Sequence, residues 1–192
     1  MSNTLNYYNE NAKSFIEGTG NVNFVKVQDI FLQLLPSRGT ILDFGCGSGR
    51  DTKYFIEHGY TVDAIDGSIE LCKLASEYTG IDVKHMLFQE LTDAKKYDGI
   101  WACASILHVK RTELPEILQK MCNATKNNGI IYVSFKYGKF EGERNGRYFT
   151  DMTEKTMSEL LLDFPELKIE KQWITGDVRV GRGDERWLNM IL

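Results

Sequence analysis

The 192-residue chain is poor in the residue types that mark staples, metal centres and rigid linkers: it has four cysteines, three histidines and three prolines. The cysteines, at 46, 72, 103 and 122, stand far apart with no C-x-x-C, and the histidines, at 58, 85 and 108, add no ligand spacing. No metal site is expected, and the thiols are expected to be free and mostly buried. With little proline, no Ser/Gly-rich or charged tract and no repeat at a fixed period, residues 1–192 are expected to form one domain. No window approaches the ~20 apolar residues of a membrane span. The opening "MSNTLNYYNENAK" has neither a basic nor an apolar targeting stretch, so a cytoplasmic chain is the expectation. In that setting the sequon at Asn123 and the Arg182-Gly183-Asp184 triplet are chance matches. Excess positive charge is missing too, since 23 basic against 27 acidic residues give −4. That balance argues against a chain held to nucleic acid mainly by phosphate attraction, while leaving room for a small basic site. Oligomeric state leaves no mark in the sequence.

What the chain does have is 42% hydrophobic residues, arranged with strand-like and helix-like periods in turn. "NVNFVKVQDIFLQLLP" reads as a helix with Phe24, Val27, Phe31 and Leu34 on one face and Pro36 as its stop. "TILDF" is a strand, a helix runs from about Arg50 to Gly59, and "YTVDAID" is the second strand. Ser68 then caps a helix whose Leu71, Leu74, Ala75 and Tyr78 share a face before Gly80. "DVKHMLF", "YDGIWACAS" and "GIIYVSFKY" are three further strands, with a helix near 113–126 that buries Leu114, Ile117, Leu118 and Met121. After a long excursion, "GKFEGERNGRYFTD", a capping box from Asp151 to Glu154 opens a helix facing inward with Met157, Leu160, Leu161 and Phe164. The last strands, "LKIEKQWIT" and "ERWLNMIL", are joined too tightly for a crossover helix and so pair antiparallel. The expected fold is α/β: a Rossmann-like, doubly wound, seven-stranded and mostly parallel sheet, helices on both faces, ending in an antiparallel hairpin.

In such a sheet the ligand lies beyond the carboxyl ends of the strands, where "DFGCGSGRD" follows strand 1. Glycines there let the backbone turn and approach a ligand, and the helix start offers unpaired N–H groups. A dinucleotide fingerprint, G-x-G-x-x-G, would need glycine at 50, where Arg50 stands. G-x-G-x-G at 45, 47 and 49, preceded by Asp43 and answered by Asp66 at the end of strand 2, resembles the class I S-adenosylmethionine-dependent methyltransferases. The resemblance runs from "YYNENAKSF" to the last residue, with cap helices over 1–36 and the Rossmann-like core over 40–192.

The resemblance implies S-adenosyl-L-methionine as cofactor and S-adenosyl-L-homocysteine as its product. It implies that Gly45, Cys46, Gly47 and Gly49, with Asp43, Arg50 and Asp51, hold the methionine and ribose parts. Asp66 would accept both ribose hydroxyls, an arrangement suited to an anionic acceptor, with Gly67 and Ser68 beside it. Phe88, Gln89 and Glu90 fall where the family meets adenine, and Cys103, Ala104 and Ser105 form a floor under the sulfonium. Tyr7 or Tyr8 would close over the cofactor, with Tyr8 the assigned one.

Methyl transfer is an in-line displacement that needs positioning and dryness more than a catalytic group. His108 in "SILHV" is the candidate base and also a candidate substrate contact. Arg144, Arg147, Arg179, Arg182 and Arg186 cluster in two late loops. Either they grip an anionic acceptor, with Lys136 and Tyr137 facing the same cavity, or they pair with Glu141, Glu143, Asp177, Asp184 and Glu185. Arg147, Arg179 and Arg186 are the assigned substrate contacts. The expected partner is a small, anionic molecule, with no membrane. "GCGSGRD" and "FKYG…RYFTD…GRGDERWLN" further resemble a small bacterial tellurite-resistance-like subgroup. An RNA methyltransferase acting on a tRNA wobble base and a non-catalytic cofactor-binding regulator remain the alternatives.

Overall fold

The computed structural model describes residues 3–179 and 181–192. Three short helices, α1 (Asn3–Glu10), α2 (Ala12–Thr19) and α3 (Val25–Leu32), precede β1 (Thr40–Phe44). Then follow α4 (Arg50–Glu57), β2 (Thr61–Asp66), α5 (Ile69–Thr79), β3 (Lys84–His85), β4 (Tyr97–Ala102), α6 (Leu114–Ala124) and β5 (Thr125–Lys136). The chain finishes with β6 (Glu141–Arg144), β7 (Arg147–Thr150), α7 (Glu154–Leu161), β8 (Lys171–Gly176) and β9 (Arg186–Ile191). Seven strands form one sheet in the order β3-β2-β1-β4-β5-β9-β8. The first five run parallel, and β9 lies antiparallel to both β5 and β8. None of the described helices is long and apolar enough to cross a membrane.

Alternation along the central strands sends consecutive side chains to opposite faces. Ile41, Trp101 and Tyr132 pack with Phe31 of α3 and Phe55 of α4 on one face. Leu42, Phe44, Ile100 and Val133 pack with Leu118, Met121 and Met157 of α6 and α7 on the other. Trp101 lies stacked on Tyr132, ring centres 4.0 Å apart. Its indole N–H donates to Asp51 at 2.9 Å, so the aromatic core also holds the start of α4.

Several local expectations need correction. α3 stops at Leu32, so Leu34 is out of helical phase and exposed while Leu35 is buried. Tyr78 is half exposed, and the buried face of α5 is Leu71, Cys72, Ala75 and Thr79. The third strand is only two residues long before a 3-10 turn at Phe88–Glu90. The capping box of α7 is Thr153 with Thr156 rather than Asp151 with Glu154. Asp151 is instead buried against Arg144. The excursion after β5 is a β-hairpin, paired from Glu141↔Thr150 to Arg144↔Arg147. Its turn is Asn145-Gly146, both at positive φ (50° and 75°), the dipeptide that favours a two-residue hairpin turn. Cys46 and Cys72 are buried thiols, and Cys103 and Cys122 are half-buried.

Gly49 shows what the glycine loop demands of packing. Its φ is +77°, and a Cβ there would stand 2.7 Å from Thr79 Cγ2 and 3.2 Å from the Ala75 Cβ, where α4 meets α5. Gly59 has a similar φ of +85° with nothing within 4 Å. Gly59→Ala should therefore lose only the left-handed backbone preference, about 1–2 kcal/mol. Gly49→Ala should lose a further ~1–3 kcal/mol through overpacking. Urea unfolding midpoints of the two variants measure the difference, and equal losses would show that α5 yields freely.

Candidate active site

The strand order reverses between β1 and β4, and beyond their carboxyl ends lies a cavity of about 990 Å³. That is the upper end of what ligand sites occupy, enough for a cofactor and a second small molecule. At its base Gly45 and Cys46 each donate a backbone N–H to the carbonyl of Ile65, at 3.0 and 2.9 Å. Gly45 (φ +90°) can make this turn against β4 because it lacks a side chain: a Cβ would fall 2.5 Å from that of Ser105. Asp66 ties the two strand ends together. One carboxylate oxygen accepts the Gly47 N–H at 2.9 Å and the other the Ser68 N–H at 2.8 Å. Burial raises the Asp66 pKa, and these two bonds pull it back. With two of about four acceptor sites filled, the carboxylate keeps capacity toward the cavity.

Asp43 and Asp51 sit differently. Asp43 is buried below the loop, accepts the Thr52 hydroxyl at 2.6 Å and does not line the cavity. Burial, then the nearby Asp51 carboxylate, push it up to about 8. Asp51 accepts from Gln28 (2.7 Å), twice from Arg50 (2.8 Å each) and from Trp101 (2.9 Å). Those four donors fill a carboxylate's acceptor sites, so Asp51 anchors α4 and has nothing left for a ligand. Arg50 is correspondingly turned to Asp51 and to the ring of Phe24, 4.8 Å away.

Of the other sequence-assigned cofactor residues, Tyr8, Gly67, Gln89, Cys103 and Ala104 line the cavity with Gly45, Cys46, Gly47 and Asp66. Gly49 and Ser68 do not. Gly49 serves helix packing, and the Ser68 hydroxyl caps α5 (3.2 Å from the Leu71 N) and donates to Asn9 at 2.7 Å. Glu90 also lies outside, its carboxylate accepting the Leu87 N–H at 2.7 Å. Ala104 holds φ +51°, an uncommon conformation for a residue with a Cβ, fixed by its N–H donating to Ser134 at 2.8 Å.

The N-terminal helices and the β6–β7 hairpin form the opposite wall. Phe15 packs on Gly47, and Tyr8 meets Phe15 edge-on at 5.2 Å. His108 lies half-buried between α1 and β7. Its Nδ1 stands 2.6 Å from the Tyr148 carbonyl and its Nε2 2.8 Å from the Tyr8 hydroxyl. Burial, with a smaller push from Arg147, drops the imidazole to about 4.

The late cations divide sharply. Arg179 holds Asp177 (Nε to Oδ1 2.9 Å), Arg144 holds Asp151, Lys136 holds Glu185, and Arg182 lies 3.7 Å from Glu185. Arg147 lines the cavity without a carboxylate partner among the described residues. It faces the rings of Tyr7, Phe149 and Tyr8 at 4.4, 5.2 and 5.7 Å, and its Nε is buried with no hydrogen-bond partner. Two of the residues expected to contact substrate lie away from the cavity. Tyr137 donates to Glu154 at 2.9 Å and Arg186 is exposed, and neither lines the cavity. At the end of β5, alternation turns Lys136 inward and Tyr137 outward. The sequence reading missed Phe15, Phe149 and Trp187 as wall residues; Asn145-Gly146 was the available signal for Phe149.

Strand order, glycine loop and Asp66 define a Rossmann-like fold with a cavity at the switch point of its sheet. A family described as a methyltransferase domain matches residues 41–129. An uncharacterised methyltransferase of Staphylococcus carnosus is 24% identical over 153 residues, 76% of this chain and 74% of its own. A ubiquinone biosynthesis O-methyltransferase of Rickettsia prowazekii is 24% identical over 139 residues, 67% of this chain and 54% of its own, so the chain spans about half of that enzyme. Burkholderia thailandensis 1,6-didemethyltoxoflavin-N1-methyltransferase, solved with its substrate and S-adenosylhomocysteine, superposes with a TM-score of 0.76. The superposition covers 97% of this chain and 83% of that one at 20% identity, a likeness of fold. Residues 41–129 thus carry a methyltransferase domain, and the chain is similar over most of its length to S-adenosylmethionine-dependent methyltransferases.

The residues present fit that cofactor: a glycine backbone with no Cβ in the way and a buried acid with free acceptor sites suit an adenosyl group with two ribose hydroxyls. The His108 environment has a pH signature. Its pKa is depressed from 6.5 to about 4, so the unfolded chain binds the extra proton. The stabilisation is full above pH 6.5 and is lost as pH falls toward 4, about 3 kcal/mol in all. Asp43, raised instead, runs the opposite way through this window. The difference between wild type and His108→Phe in urea unfolding should therefore shrink from pH 7 to pH 4.5. A difference that stays constant would mean that His108 titrates normally.

Proposed function

We propose that the methyl acceptor is a small molecule carrying an anionic group, and that Arg147 grips that group. The observation that carries this is the state of Arg147: a cation in the cavity wall, ringed by aromatics, with its Nε buried and unpaired. Leaving a buried donor unmade costs about 1–3 kcal/mol, and a carboxylate or oxyanion would recover it in the two-pronged way guanidinium favours. The other cavity cations already hold acids of this chain, so the anionic site narrows from a cluster to one residue with Lys136 and Arg179 as flanking charge. The proposed likeness to the tellurite-resistance-like subgroup agrees with such an acceptor and does not name it.

In this reading Asp66 accepts the ribose hydroxyls, Gly45 to Gly47 lie along the cofactor's tail, and Gln89 meets the adenine edge. When bound, the cofactor supplies an electrophilic methyl group on a sulfonium. The chain orients the acceptor by Arg147 and keeps water out by closing Phe15, Tyr8 and Phe149 over the crevice, so that alignment and desolvation do most of the work. In this reading residues 3–192 act as one domain.

Two outcomes test the assignment. Asp66→Ala should weaken S-adenosylhomocysteine binding about 100-fold in calorimetry, as expected for lost bonds to a charged acceptor worth about 3 kcal/mol. Methyl-labelled cofactor incubated with a metabolite extract should yield a labelled anionic product. With the compound so identified, Arg147→Ala should raise its KM at least tenfold while S-adenosylhomocysteine affinity stays within threefold. An unchanged KM would remove Arg147 from the acceptor site.

A further inference from the structure

Resting on the acceptor reading above, we infer that Tyr8 and His108 form a proton relay, with Tyr8 touching the acceptor and His108 receiving its proton, for acceptors that attack through a hydroxyl or thiol. Geometry fixes the direction of the relay. His108 Nδ1 stands 2.6 Å from a carbonyl oxygen, that of Tyr148, and a carbonyl only accepts, so Nδ1 carries the hydrogen. Nε2 is then a lone pair, and the Tyr8 hydroxyl 2.8 Å away donates to it. The phenol oxygen is left with its own lone pairs. Its known neighbour is Arg147 Nη1, at a weak 3.5 Å, and Tyr8 lines the cavity.

The elements carrying the pair are locked together. The Tyr148 N–H, on the same residue whose carbonyl holds Nδ1, donates to Thr4 of α1 at 2.9 Å. Thus β7 orients the imidazole and α1 delivers the phenol, with Phe149 packed on the His108 ring at 4.9 Å. The groups facing His108 are Tyr8 from α1 and Arg147, Tyr148 and Phe149 from β7, and none is a carboxylate. Burial raises the Tyr8 pKa, Arg147 lowers it and Asp66 raises it, and all three side chains line the same cavity.

The step balances as follows. The acceptor's oxygen or sulfur forms a bond to the methyl carbon while the carbon–sulfur bond of the cofactor breaks, its electron pair staying on that sulfur. The acceptor's proton passes to the Tyr8 oxygen as the Tyr8 proton passes to His108 Nε2. The imidazolium then returns its proton through Tyr8 to solvent when product leaves. An imidazole held near 4 is a weak base. It suffices for a hydroxyl or thiol, whose proton becomes very acidic as the methyl bond forms, and not for an amine, which keeps its proton as an ammonium.

The test uses the labelled-extract assay together with nitrogen NMR of the intact protein. Wild type should show His108 as the Nδ1–H tautomer, and Tyr8→Phe should move the Nε2 resonance alone. Tyr8→Phe and His108→Ala should each slow labelling about 100-fold, with S-adenosylhomocysteine affinity within threefold. Added imidazole should restore part of the rate in His108→Ala and none in Tyr8→Phe. Full-speed Tyr8→Phe, an Nε2–H tautomer, or a product methylated on an amine would overturn the relay while leaving Arg147 as anion site. No label from wild type would overturn the acceptor reading and the relay with it, whereas loss of the relay alone leaves KM sensitive to Arg147→Ala.

Discussion

The active site hangs on one carboxylate. Asp66 ends β2, and its two oxygens accept N–H groups from Gly47, after β1, and Ser68, before α5. Two neighbouring strand ends and the helix that follows are thereby held in a single frame, with the acid facing the crevice between them. Burying that charge opposes folding, and the bonds from the backbone offset it. The glycine loop keeps its shape because Asp66 holds it from the ligand side while Gly49 lets α4 close on α5 from behind.

A second carboxylate, Asp51, also borders the cavity, but its acceptor sites are spent on the fold. Saturated by Gln28, Arg50 and Trp101, it joins α3, α4 and the aromatic core under β4. The contrast between the two acids is one of capacity: Asp51 has no acceptor site left, whereas Asp66 keeps acceptor capacity toward the cavity. The same count sorts the cations. Arg144, Arg179 and Lys136 pair with Asp151, Asp177 and Glu185, and these pairs stiffen the late loops around the cavity, although the Arg144 Nε, like that of Arg147, is buried with no hydrogen-bond partner. Arg144 and Arg147 both lie over aromatic rings, which attract a cation without neutralising it; Arg147 differs in having no carboxylate partner among the described residues.

Much of the fold was legible because its signals are local. The apolar runs of β1, β4 and β5, the inward face of α6 and the Ser68 cap with Gly80 follow from period and capping chemistry. Misreadings came where a local signal was overridden or passed over. The α7 cap falls on Thr153 because Asp151 is drawn into the pair with Arg144, and the excursion after β5 pairs as a hairpin about the Asn145-Gly146 turn where its polar composition suggests a loop. Leu34 and Tyr78 were assigned inward by extending a helical period past the point where packing keeps it.

The sequence by itself carried the resemblance that implies the cofactor: three glycines at 45, 47 and 49, no glycine at 50 and an acid at 66 are choices about backbone freedom and charge that need no third dimension to be read. Only the tertiary structure decided which charges remain available. Asp51 and Asp66 are the same residue type near the same loop, and Arg147 and Arg179 are the same type in neighbouring loops. Each one's partners come from far along the chain, so the difference lies in long-range contacts that no spacing encodes. The meeting of Tyr8 with His108, 100 residues apart in sequence, is of that kind, created only when α1 folds back over the carboxyl end of the sheet.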